Sequence, residues 1–199
     1  MNDTEQGQKM QLGRRTLMRW FLGIGAVSSL SAMGSVLATI RPSEEELGAN
    51  AIQAGDPLVF ALGNNKGQPI LLDSILVGQG TLAFPKGKEM QDNLLFVYRD
   101  DPLVFKEPTR LDWVAQGYVA YSAICTHLGC TVNYSHEAMD GIASPHAMCP
   151  CHGGVFDPQT GGRVVTGPAP RPLPQLPIAI DEQGAVVAAG PFEEPTGVI

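Results

Sequence analysis

All four cysteines of this 199-residue chain fall in two short boxes. The first runs Cys125-Thr126-His127-Leu128-Gly129-Cys130 and the second Cys149-Pro150-Cys151-His152-Gly153-Gly154. Each box carries two cysteines and one histidine, in the orders C-x-H-x-x-C and C-x-C-H. That concentration marks a metal site rather than scattered core thiols. It also constrains the fold, because two loops far apart in sequence must meet on a rigid scaffold. Zinc is one reading, since two cysteines and two histidines are a common zinc set. Zinc boxes, however, pair like with like, as C-x-x-C and H-x-x-x-H, whereas each box here mixes the two types and two cysteines are left over. A 2Fe–2S cluster with one Cys pair and one His pair uses the same four donors and leaves two cysteines to cross-link.

The boxes resemble those of the Rieske iron–sulfur family, in its disulfide-bearing branch from cytochrome bc and bf complexes. Carried onto this chain, the resemblance implies that Cys125 and Cys149 ligate one iron and His127 and His152 the other. It implies a Cys130–Cys151 disulfide between the loops. Gly167-Pro168-Ala169-Pro170 resembles the family's third, cluster-covering loop, and Leu128, Gly153, Gly154, Phe156 and Pro168 would form the cluster's surroundings. Leu128 reads equally as an apolar lid or docking residue and as plain packing.

The donor set has its own electrostatic logic. Two ferric ions, two sulfides, two thiolates and two neutral imidazoles are together neutral, whereas a four-thiolate cluster is doubly negative. An added electron is therefore less unfavourable, and the potential is higher. Reduction at the histidine-bound iron also raises the proton affinity of His127 and His152, so electron and proton uptake are coupled and a quinol can serve as donor. One departure from the family pattern bears on this. High-potential members carry a Ser and a Tyr after the second histidine, whose hydroxyls donate to cluster sulfur. Here those positions are Gly154 and Phe156. Losing donors to sulfur lowers the potential, which implies a low-potential variant suited to menaquinol.

Residues 20–40 contain no charge, long enough for a helix across a hydrocarbon core of ~30 Å. Lys9, Arg14, Arg15 and Arg19 precede them and Glu44, Glu45 and Glu46 follow. This asymmetry sets residues 1–19 in the cytoplasm and the rest on the outer, periplasmic side of the cell membrane. Arg14-Arg15-Thr16-Leu17-Met18 resembles a twin-arginine export signal, with an ordinary basic flank of a signal anchor as the alternative. A cleavable signal peptide is another; an uncleaved anchor is the reading taken here. Residues 41–55, with Pro42, Gly48 and Gly55, read as a hinge linker.

The expected organisation is a Rieske domain over 56–190, with a cluster-binding subdomain near 120–170, and a tail over 191–199. The fold class is all-β, a Rieske-type antiparallel β-sandwich. Strands are expected at Leu58–Leu62, Ile70–Val77, Leu94–Arg99 and Gly117–Ile124, where apolar runs are bounded by Gly, Pro and Asp. Hairpins are expected at Ile178–Ile180 with Ala185–Ala188, and at Val155–Pro158 with Arg163–Val165. His136 and His146 fit neither ligand spacing and read as solvated surface residues. The net charge of −7, without a basic, aromatic-interleaved patch, argues against nucleic acid.

The resemblance implies an electron-transfer subunit of a quinol–cytochrome c oxidoreductase. One electron would pass from quinol to a c-type haem, with cytochrome b and a c-type cytochrome as partner subunits. The Rieske small subunit of an arsenite oxidase, or another exported electron carrier, is the alternative.

Overall fold

A computed structural model describes residues 50–136 and 145–198, together with Arg19. The anchor expected over 20–40 and most of the expected linker lie outside the described residues. Among the described residues no helix is long and apolar enough to cross a membrane. The described chain is all-β, apart from three single 3-10 turns. In chain order the strands are β1 (Leu58–Phe60), β2 (Gln79–Pro85), β3 (Leu95–Arg99), β4 (Tyr118–Ser122), β5 (Asn133–Ser135), β6 (His146–Cys149), β7 (Gly154–Asp157), β8 (Arg163–Thr166), β9 (Gln175–Leu176), β10 (Ile178–Ile180) and β11 (Val186–Ala188). They pair antiparallel in three sheets, ordered β1-β2-β3-β4-β9, β5-β6-β7-β8 and β10-β11.

The five-stranded sheet lies between two cores. Successive side chains of a strand point to opposite faces. On β3, Phe96 and Tyr98 enter one core while Leu95 and Val97 enter the other. On β4 the same division separates Val119 and Tyr121 from Tyr118 and Ala120. This is why both strands read as continuous apolar runs, as strands buried on both faces do. The first core joins the middle sheet to the metal-box region through Val132, Ala147, Cys149 and Phe156. The second joins it to β10 and β11 through Ile178, Val186 and Ala188.

Hydroxyls and an amide tie the box-bearing sheet to the middle sheet. Tyr121 donates to the carbonyl of Pro158 at 2.9 Å, and Tyr134 donates to the carbonyl of Gly78. Tyr98 donates to Asp100, which also accepts from Gln159 Nε2 at 2.9 Å. Box two thus sits on a sheet fixed to a larger base, and box one spans from β4 of that base to β5.

Residues 50–55 are tied to the base as well. Ile52 is buried, Gly55 N–H donates to Ala188 O at 2.8 Å, and Lys88 bridges Ala51 O and the Asp56 carboxylate at 2.7 and 2.6 Å.

Two expectations are corrected, and four strands are added. Ile70–Val77 is not a strand. Ile70 is buried and hydrogen-bonds Leu58 and Val186, but Ser74 Oγ then accepts from Leu71 N–H and turns the chain, and Tyr118 donates to the carbonyls of Leu71 and Leu72. β2, β5, β6 and the short β9 were not anticipated. His146 is not a solvated surface residue. It opens β6, an inner strand of its sheet, and is only 1% exposed.

Candidate metal centre

Both boxes are loops that close on one plan. Loop one leaves β4 and closes at its neck through Val132 N–H to Ala123 O and Cys125 N–H to Cys130 O, both 2.8 Å. Loop two joins β6 to β7, with Cys149 opposite Gly154. In each, the carbonyl of the first cysteine accepts from the N–H of a glycine four residues on. Gly129 donates to Cys125 at 3.0 Å and Gly153 to Cys149 at 3.1 Å. Both glycines have left-handed backbones, φ 78° and 67°, a conformation that L side chains adopt only with strain. The glycines of the boxes are therefore what closes each turn.

The closure buries the first cysteine of each loop and raises the histidine on the turn. Cys125 and Cys149 are buried free thiols, and the rings of His127 and His152 lie 4.8 Å apart, edge to face. Cys130 and Cys151 form a disulfide, with Cα atoms 6.6 Å apart. The Sγ atoms of Cys130, Cys149 and Cys151 lie within 4.8 Å of one another. The two disulfide sulfurs carry no thiolate to offer a metal, so Cys125 and Cys149 are the thiols that remain. Burial pushes the Cys125 thiol up. The His127 N–H works against that shift, and Cys149, close enough to share a hydrogen bond, adds to it.

The third loop reaches the site by backbone alone. Gly167 has φ 96°, and a Cβ there would sit 2.6 Å from Gly154 Cα and 2.9 Å from Gly153 O. Ala169 packs against the first core, while Pro168 is exposed. Leu128 projects at the tip of loop one, 61% exposed. Gly154 and Phe156 are buried behind loop two. Two residues here went unremarked as site residues in the sequence. Thr126, buried between Cys125 and His127, donates to Arg171 O at 2.7 Å. Its place inside the first box was a signal; Arg171, amid prolines, carried none.

The family comparison agrees with this geometry. The model of the Rieske [2Fe-2S] domain matches residues 74–177, more than half of the chain. A cytochrome bc1 complex Rieske iron-sulfur subunit from Streptomyces coelicolor is 34% identical over 98% of this chain and 56% of its own length. One from Streptomyces lividans is 38% identical over 67% of this chain and 81% of its own. A Haloferax mediterranei protein, provisionally named a respiratory nitrate reductase Rieske subunit, is 31% identical over 95% of this chain and 82% of its own. The chain belongs to the Rieske [2Fe–2S] family, and its cofactor is one Rieske cluster. It spans little more than half the length of the Streptomyces coelicolor relative.

The residues present fit that cofactor. Two buried thiols stand free beside a completed disulfide. The Nδ1 atom of His127 is buried with no hydrogen-bond partner, as are both ring nitrogens of His146; His127 is the one of the two inside a cysteine box, where a metal would take that position.

Proposed function

We propose that the chain is the electron-transfer subunit of a quinol–cytochrome c oxidoreductase of the bc1 type. In this reading Cys125 and Cys149 hold one iron, and His127 and His152 hold the other. The bound cluster supplies one-electron chemistry at a raised potential. The observation that carries the reading is the pair of histidines at the outer tip. His127 is half-buried and His152 exposed, each on a turn beyond a buried cysteine. The imidazoles meet the quinol hydroxyl, orient it, and take its proton at the ring nitrogen that faces away from the metal. Leu128, exposed at the same tip, excludes water from the docked face. The Cys130–Cys151 bridge holds the two loops in register.

The Streptomyces relatives are named as Rieske subunits of a cytochrome bc1 complex, which supports cytochrome b and a c-type cytochrome as the companions here. An uncleaved anchor over 20–40 would hold the head on the outer side of the membrane, with the 41–55 linker, of which 50–55 are tied to the base, between them. Purification of the intact complex, with haem spectra and subunit identification, tests this. Haems b and c co-purifying with the chain is the expected result, and a molybdopterin subunit in their place would overturn it. That second outcome matches the alternative, the Rieske small subunit of an arsenite oxidase.

The absence of hydroxyls at Gly154 and Phe156 supports a low potential and a donor of menaquinol type. Space exists for the test. A Cβ on Gly154 would lie 3.6 Å from Cys149 Cβ and 3.7 Å from the Phe156 ring, ordinary contact distances. Gly154→Ser is expected to raise the potential by roughly 40–90 mV, the one-electron equivalent of a hydrogen bond worth about 1–2 kcal/mol. An unchanged or lowered potential on redox titration would contradict the explanation.

A further inference from the structure

Thr126 ties loop one to Arg171, and Arg171 ties it onward. While the Arg171 carbonyl accepts from the Thr126 hydroxyl at 2.7 Å, its guanidinium Nη2 donates to Pro195 O at 2.8 Å and Gly197 O at 2.7 Å. Gly197 is buried and rests on the residue before Cys125: a Cβ there would sit 3.1 Å from Ile124 Cγ2. Ile124 is itself 5% exposed. At its other end the same segment is fixed to the base. Phe192 packs against the second core, and Glu193 pairs with Arg110 at 2.9 Å. Residues 192–198 form no strand, and the prolines around Glu193 and Glu194 lack the N–H a sheet ladder requires. Side chains must therefore hold the segment. A guanidinium suits that task, because one of its nitrogens carries two hydrogens and serves two carbonyls at once.

We propose that residues 192–198 are a strap that braces loop one, and that Arg171 is a positioning residue for Cys125 and His127. The segment links the base to the neck of one ligand loop; the disulfide is common to both loops, and loop two has the approach of Gly167 where loop one has the strap. The proposal rests on the ligand assignment above only in what the braced loop is for. Its hold on the loop is read without reference to the metal.

The experiment is hydrogen exchange by mass spectrometry on the full chain with its cluster, purified in detergent. Arg171→Ala, and separately truncation after Pro191, are expected to speed exchange over residues 124–130 by roughly fivefold to tenfold. Exchange over 150–153 stays near the native rate. Arg171→Lys recovers part of the protection, and Arg171→Ala adds nothing in the truncated chain, because both remove the same link. The visible circular dichroism of the cluster shifts with the first two changes. Native exchange over 124–130 in both variants would overturn the proposal. So would an equal rise over 150–153, which reports general loosening, or additivity of the two changes. If Cys125→Ser retained its cluster, the ligand assignment would fail while the exchange result still judged the strap.

Discussion

The two ligand loops share a backbone and differ in everything around it. Each buries a cysteine at its neck and closes the turn with a glycine N–H on that cysteine's carbonyl. Loop one places its histidine two residues after the cysteine, half-buried, with Thr126 buried beside it. Loop two places its histidine three residues on, exposed, next to the disulfide cysteine Cys151. Turn closure therefore fixes where the thiols sit, and one residue of extra spacing sets how far each imidazole reaches outward. The enclosed histidine belongs to the loop with a side-chain brace. The exposed one belongs to the loop held by glycine contact, and the disulfide is shared by the two.

The largest contrast is between the two kinds of cysteine. Cys125→Ser or Cys149→Ser is expected to abolish the cluster, read as loss of stoichiometric iron. Replacing Cys130 and Cys151 together is expected to leave iron bound initially. It should cost roughly 3 kcal/mol of stability, the scale for a loop closed over 21 residues, seen as a lower denaturant midpoint. Iron retained in either of the first two variants would break the division into ligands and cross-linkers.

The glycines come next. Gly167→Ala puts a methyl group onto Gly154 Cα at 2.6 Å in a left-handed backbone. It should destabilise loop two by well over ~1 kcal/mol. Gly129→Ala and Gly153→Ala meet open space, so each should lose only the left-handed backbone term, about 1–2 kcal/mol. Equal losses at 129 and 153 would confirm the shared turn, and a marked inequality would show that the loops close differently.

How far the sequence spoke depends on the signal available. The boxes were legible because donors at fixed spacing identify themselves. β3 and β4 were legible because burial on both faces leaves an unbroken apolar run, and the hairpins around Asp181–Gly184 and Gln159–Gly162 because turn residues separate two β-prone stretches. β2 begins Gln79-Gly80-Thr81 and offers no such run. β5 and β6 take their burial from a sheet assembled across the chain, which local pattern does not encode, and His146 was misread for that reason. Thr126 and Arg171 meet across 45 residues, through a carbonyl that no side-chain pattern marks.

Thr126→Val offers a milder contrast. It keeps the side-chain shape, removes the donor to Arg171 O, and should cost about 1–2 kcal/mol, with exchange increased in loop one alone. An equal increase in loop two would remove the distinction between the braces. The smallest effect lies at the turn between β7 and β8, where Gln159 and Tyr98 meet on Asp100. Burial pushes the Tyr98 phenol well above its ordinary value near 10, and the bond to Asp100 adds to the shift. A raised folded-state value means this contribution to stability is complete below pH ~10 and is lost as pH rises toward the folded value. Tyr98→Phe should flatten the alkaline fall in stability, and an unaltered slope would contradict the assignment.

The central claim is that two imidazoles and two thiolates, one of each from either loop, hold the cluster. Its most direct test is pulsed EPR of the reduced full chain carrying ¹⁵N-labelled histidine. Strong hyperfine coupling to two histidine nitrogens is the predicted result. A spectrum without histidine coupling, or with coupling to a single imidazole, would contradict it.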